Sequence, residues 1–249
     1  MPEGDTIWRT AAGLRERVGG GTVRAASPTR FERLVGQRLD AVEPVGKHLL
    51  MRFSGGWTLH SHMRMTGSWH LYRSGERWRR PRHLARAVLT FEEWEAVCFA
   101  APLLELVRDG REEVRHLGPD ALADDFPLEQ VVARARSVGP VALGELLLDQ
   151  RVCSGIGNVY KCETLWQLRL DPWRSSADLS DQELSSLFAA ARTYLRENVT
   201  RVAPRVFGGR PGAVHGRTGR PCPRCGTLVQ SRPQGADARI TYWCPDCQR

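Results

Sequence analysis

No stretch of the 249-residue chain approaches the roughly 20 consecutive apolar residues that a helix needs to cross a bilayer. The opening residues 1–5 are acidic and lack the basic segment and apolar run of a secretory signal. These absences exclude a helical membrane protein and argue against export, so a soluble, cytoplasmic protein is expected. No internal repeat is evident, which excludes a solenoid. Nothing in the pattern calls for self-association, and a monomer is expected. Cysteine is scarce at seven residues, and in a reducing compartment these argue for metal binding or burial rather than disulfides.

What is present points to a globular, basic protein. Apolar residues make up 41%, with eight Trp and seven Phe, enough for a real core. The length suggests two domains with a small appendage. Lys and Arg number 36 against 28 Asp and Glu, a net charge of +8, which favours a polyanionic partner such as nucleic acid or an anionic membrane surface.

Asp5 and Thr6 read as helix caps before Ile7, Ala11, Leu14 and Val18, whose helical spacing stops at the glycines 19–21. From Phe31 to about Phe99 the pattern is strand-like. Residues 47–53 and 57–63 flank Gly55-Gly56, and Ala85, Ala87, Leu89 and Phe91 alternate with polar neighbours, predicting an antiparallel sandwich or barrel. Beyond Leu117-Gly118-Pro119 the period becomes helical. Pro127 opens one helix, residues 143–150 continue helical, and Ser180 with Glu183 forms a capping box for a helix ending near Asn198. From Ala203 to Pro221 the chain is rich in Gly, Pro and Arg, has no acidic residue, and reads as an extended basic linker.

Cys222-Pro-Arg-Cys225 and Cys244-Pro-Asp-Cys247 are separated by eighteen residues. That spacing suits one structural Zn2+ held by four thiolates across a hairpin turning near Gln234-Gly235. Four unrelated buried cysteines are the plainer alternative. Cys98, Cys153 and Cys162 read as buried thiols.

Removal of Met1 would expose the secondary amine of Pro2 beside the carboxylate of Glu3. An α-amino group titrates near pH 8, so an appreciable fraction is an unprotonated nucleophile at neutral pH. Attack on the anomeric carbon of a deoxyribose gives an iminium that permits strand cleavage by elimination, with Glu3 delivering a proton to the sugar oxygen. The competing account is that Pro2-Glu3-Gly4-Asp5 simply starts a helix.

The opening M-P-E-G-D-T, the V-G-K-H-L-L strand, the segment L-L-L-D-Q-R-V-C-S-G-I-G-N-V-Y and the final paired cysteines occur in the order found in formamidopyrimidine-DNA glycosylases and endonuclease VIII. The chain resembles that family along essentially its whole length, nearer the endonuclease VIII branch. The resemblance implies an α+β protein in three parts: an N-terminal antiparallel β-sandwich preceded by a helix (1–116), a helix-two-turn-helix domain (117–205), and a basic linker with a β-hairpin zinc finger (206–249). It implies a bifunctional glycosylase and abasic-site lyase of base excision repair. Its partner would be double-stranded DNA carrying damaged bases or abasic sites, which would associate it with the nucleoid.

By similarity Pro2 is the Schiff-base nucleophile, Glu3 the general acid/base, and Lys47 a cation near the lesion phosphate, though Lys47 also reads as an ordinary strand lysine. Asn158 carries over as a phosphate ligand, with a helix-cap role as the alternative, and Arg239 as the finger arginine that grips the flanking phosphates. Arg64, Met65 and Thr66 occupy the position that fills the gap left by an extruded nucleotide, Met65 being the apolar wedge unless it packs in the core. His215 stands where relatives often have Tyr, and the segment before Cys222 is short, which favours oxidised pyrimidines and abasic sites. The rival reading is a catalytically silent zinc-finger protein that recognises damaged or branched DNA. A zinc-ribbon interaction module would leave the first two hundred residues without a role.

Overall fold

The computed structural model describes residues 2–201 and 205–249. Met1 and the first two residues of the expected linker, Ala203 and Pro204, lie outside the described residues. The chain forms two compact units, residues 1–116 and 117–249.

The first unit begins with α1 (Gly4–Val18), whose buried side chains Ile7, Ala11, Leu14 and Val18 form the expected stripe. The cap differs from expectation. Asp5 and Thr6 lie inside the first turn, and Glu3 holds the N-cap position without a side-chain cap. Asp5 is instead buried and paired with Arg9 one turn on, at 2.9 Å. Eight strands follow: β1 (Ala25–Ser27), β2 (Leu39–Val45), β3 (His48–Phe53), β4 (Trp57–His62), β5 (Ser68–Arg73), β6 (Ala85–Thr90), β7 (Trp94–Phe99) and β8 (Leu103–Arg108). Two antiparallel sheets, ordered β2-β3-β4-β8 and β1-β6-β7-β5, make the sandwich. The strand pattern therefore runs past Phe99 to β8, while Phe31 sits in a short 3-10 helix and not in a strand.

One core joins α1 to both sheets. Leu14 shares this core with Leu49, Met51 and Leu59 from one sheet and Leu89, Ala96 and Cys98 from the other, all essentially inaccessible. Truncating a leucine buried this way costs about 2–5 kcal/mol.

The second unit holds α2 (Leu128–Ser137), α3 (Leu143–Leu146), α4 (Asn158–Gln167) and α5 (Asp181–Asn198), then the hairpins β9 (Val206–Phe207) with β10 (Arg210–Pro211) and β11 (Gln230–Gln234) with β12 (Arg239–Trp243). The capping box on α5 is present in both directions, Ser180 accepting from the Glu183 N–H and Glu183 from the Ser180 N–H. The helix expected across 143–150 is a single turn. Asp149 and Gln150 turn their side chains onto nearby backbone, Gln150 donating to the carbonyls of Leu148 and Ile156 and accepting from Gly155 N–H, and this knitted loop replaces the helical ladder.

Candidate active site and nucleic-acid interface

In the first unit, α1 places Pro2 half-buried at its head and buries Glu3 completely. The Glu3 carbonyl accepts the N–H groups of Thr6 and Ile7, so the carboxylate is fixed to the first turn of a helix that is itself packed in the core. Lys47 occupies the second position of a two-residue turn between β2 and β3, where Val45 pairs with His48. Gly46 precedes it with φ +58, the conformation a tight hairpin needs at that position.

Beside Lys47 lies a cluster that sequence reasoning did not find. His48 Nδ1 and His60 Nε2 are 2.8 Å apart with stacked rings, and His62 and His116 stand edge-on to His48. Strand pairing explains it, because His48 opposes His62 and His60 follows two residues away on the same face. Burial first, and then the neighbouring histidines, hold His48 down to about 3, and burial followed by Lys47 and Arg64 holds His62 to about 4, so these two rings are neutral at pH 7. His62 Nδ1 accepts the N–H of Arg64, which ties the cluster to the next turn.

That turn connects β4 to β5 and so crosses from one sheet to the other. Arg64, Met65 and Thr66 are all exposed there, and Met65 is 63% accessible, which removes the core-packing account of this side chain. Arg64 takes φ +45, Gly67 returns its N–H to the Met63 carbonyl, and the Thr66 hydroxyl donates to the Ala100 carbonyl. A Cβ at Gly67 would lie 2.8 Å from the Ala101 Cα, so only glycine lets the turn sit this close. Held from three sides, the turn presents an apolar side chain outward on a fixed base.

In the second unit, Gly157 is the N-cap of α4 and Asn158 the first helical residue, so Asn158 is not the cap. Its Nδ2 donates to the Ile240 carbonyl on β12 at 2.8 Å, while its Oδ1 is buried with no hydrogen-bond partner among the described residues. Arg239, the neighbour of Ile240, is exposed at the start of β12 opposite Gln234. Two buried charged groups not anticipated from sequence complete the stitching. Lys161 donates to Thr241 Oγ1 at 2.7 Å, and Glu163 accepts the N–H groups of Ala213, Val214 and His215. Burial pushes the Glu163 carboxyl up against the pull of those donors. His215 lies against Tyr242, and burial holds it down to about 4. In the sequence Lys161 and Glu163 read as ordinary polar positions of α4.

The four cysteines converge, their sulfurs all within 4.8 Å of one another, and could hold a metal ion. Cys222 and Cys247 are 3.9 Å apart, and Cys225 and Cys244 3.4 Å. Tetrahedral thiolate ligation with bonds of about 2.3 Å requires sulfur separations of about 3.8 Å, so the donor set fits.

The formamidopyrimidine-DNA glycosylase N-terminal domain matches residues 1–102 and the formamidopyrimidine-DNA glycosylase H2TH domain residues 117–205. The second family pattern begins where the second unit of the fold begins, at residue 117. The chain belongs to the formamidopyrimidine-DNA glycosylase and endonuclease VIII family. Among its relatives, a Streptomyces coelicolor protein named "Probable endonuclease 8 2" is 42% identical, over the whole of this chain and 94% of its own. "Endonuclease 8 2" of Mycobacterium tuberculosis is 39% identical with both chains fully covered. "DNA-(apurinic or apyrimidinic site) lyase Nei2" of Mycolicibacterium smegmatis is 36% identical over all of this chain and 99% of its own. The fold matches the Lactococcus lactis formamidopyrimidine-DNA glycosylase crystallised with damaged DNA, with a TM-score of 0.83 over both full chains at 20% identity. Among the described residues no helix is long and apolar enough to cross a membrane.

Proposed function

We propose that the protein is a DNA glycosylase with abasic-site lyase activity that acts in base excision repair on double-stranded DNA, as a monomer in the cytoplasm. The observation that carries this reading is Pro2 at the head of α1 with Glu3 fully buried behind it, in a chain that matches a named lyase relative from end to end.

The steps follow from the groups present. The unprotonated Pro2 nitrogen forms a bond to the anomeric carbon while the glycosidic bond breaks and the base leaves with its electron pair, taking up a proton. Glu3 protonates the sugar ring oxygen, whose bond to that carbon then opens to leave an iminium. The iminium acidifies the adjacent sugar proton, whose loss expels the 3′ phosphate, and a second elimination expels the 5′ phosphate. Lys47 supplies a cation for the phosphate beside the lesion, and Asn158 and Arg239 hold the strand on the other unit. Arg64, Met65 and Thr66 fill the space of the extruded nucleotide.

The cysteine cluster holds one Zn2+, which supplies fold stability and no chemistry. Burial and neighbouring sulfurs raise Cys247 to about 12 while the Thr227 hydrogen bond draws Cys225 to about 6, so a cation is needed before all four thiols ionise together. Oxidised pyrimidines and abasic sites are the preferred lesions, a reading supported by the short segment before Cys222 and by His215 at a position where the resembled family often carries Tyr.

Borohydride reduction with an abasic duplex, followed by mass spectrometry, tests the reading. A covalent adduct on Pro2 is expected. An adduct on Lys47 or another lysine with Pro2 unmodified overturns the mechanism, and binding without any adduct favours the silent DNA-binding alternative.

A further inference from the structure

The loop from the end of β5 into β6, residues 73–86, carries six arginines against a single glutamate. Five of them are exposed, and four of these, Arg77, Arg79, Arg82 and Arg86, have no carboxylate within ion-pair distance among the described residues. Some exposed arginines elsewhere are paired, as in Arg38 with Asp40, Arg136 with Asp181 and Arg151 with Asp149, whereas this loop gathers four unpaired guanidinium groups within residues 77–86. Within the loop itself Arg73 pairs with Glu93, and the lone Glu76 accepts the Arg73 backbone N–H. Clustered unpaired cations repel one another, and an anionic partner such as a phosphate backbone relieves that repulsion.

The surface is rigid. Trp78 packs with Tyr72, Val97, Phe99 and Leu84 in a small core of its own and donates its indole N–H to Glu95 at 2.9 Å. Arg79 N–H donates to the Tyr72 hydroxyl, Arg82 stacks over the Trp78 ring at 4.7 Å, and Arg86 is thrown outward by a bulge between Ala85 and Ala87. The remaining arginine fixes the location: Arg80 donates to Ser68 Oγ at 2.7 Å, two residues beyond Thr66. Ala100 joins the same two segments, accepting from Thr66 and donating to Leu84. The cationic loop thus abuts the turn that carries Met65.

We propose that Arg77, Arg79, Arg82 and Arg86 form a phosphate-binding surface for the duplex flanking the damaged nucleotide, adding backbone contacts beyond those of Lys47, Asn158 and Arg239. This rests on the Met65 turn being the part of the first unit that enters the DNA. Guanidinium groups on a fixed base suit phosphate oxygens, and such contacts bring affinity without base readout.

The test compares wild type with the triple variant Arg77→Gln, Arg79→Gln, Arg86→Gln, which leaves the Arg82–Trp78 stack intact. Affinity for a duplex with a central tetrahydrofuran abasic analogue is measured against salt. Each lost phosphate contact should lower the slope of log affinity against log salt by about 0.9, so a decrease of about 2–3 is expected, with affinity at least tenfold weaker at 0.1 M salt. The triple lysine variant, which keeps the charge, should recover most of the slope. Shortening the flanks to about three base pairs should erase the difference between wild type and the Gln variant. An unchanged slope in the Gln variant, with wild type binding tightly, overturns the arginine surface alone; so does a difference that persists on the short duplex. A wild type that neither binds the abasic duplex nor is trapped by borohydride overturns the functional reading and this surface with it.

Discussion

At position 3 a carboxylate with no exposed surface stands next to Pro2, whose nitrogen would become a secondary amine on removal of Met1. Glu3→Gln preserves shape and removes the proton, so base excision should fall by about 10²–10⁴ while binding to an abasic duplex is retained and lyase action on that duplex suffers less. Single-turnover rates on a damaged-base duplex and on an abasic duplex check this; equal losses on both would remove Glu3 from the glycosidic step. Met65, 63% exposed on a turn held by His62, Thr66 and Gly67, gives a second residue-scale expectation. Met65→Ala should slow excision from duplex DNA far more than cleavage of an abasic site in a flexible single strand, where less unstacking is needed. Similar slowing of both would mean that Met65 fills no gap.

Among the elements, the β3–β4 pair concentrates histidines whose charging the fold opposes. An unfolded histidine titrates near 6.5, whereas His48 is held to about 3 and His62 to about 4. The unfolded chain therefore binds more protons than the native one below pH 6.5, and the stability this contributes is full above that value and lost as pH falls toward 4. The melting temperature of the first unit should drop between pH 7 and pH 5, and His48→Asn should flatten that dependence. The same strand pair shows what a linear reading misses. His48, His60 and His62 lie on neighbouring strands, and their convergence is a matter of register, which no periodicity records. The strands themselves were legible from alternation around Gly55-Gly56, and α5 from its capping box, because those signals are local. The helix expected over 143–150 failed where Asp149 and Gln150 turned their side chains onto the backbone, a competition that helical spacing does not reveal. The cysteine spacing announced the cluster, yet Lys161 and Glu163, which bind α4 to the finger and to the segment before it, looked like ordinary helix polar residues.

For the whole molecule the net charge of +8 and the scattered positions of the proposed phosphate ligands predict binding dominated by counterion release. Arg239→Ala should weaken binding to every lesion by a similar factor and lower the salt slope by about 1. A change in which base is excised, with affinity intact, would assign Arg239 to the base and not to the backbone. The finger itself is tied to the helices at several points: Gln248 takes the Cys244 N–H and donates to the Leu170 carbonyl, Arg224 caps the end of α4 through the Trp166 carbonyl, and Asn158 reaches Ile240.

Those ties mean that zinc, once bound, reports on residues far along the chain from its ligands. Stripping the metal with a chelator, or replacing Cys244 with Ser, should release amide protons of α4 and α5 to solvent exchange together with those of β11 and β12, as one cooperative opening, while residues 1–116 keep their protection. Exchange confined to residues 222–247 would show instead that the finger melts by itself. Under cooperative opening, the metal content of the cell would set the fraction of molecules able to grip DNA, without any change at Pro2, the proposed nucleophile.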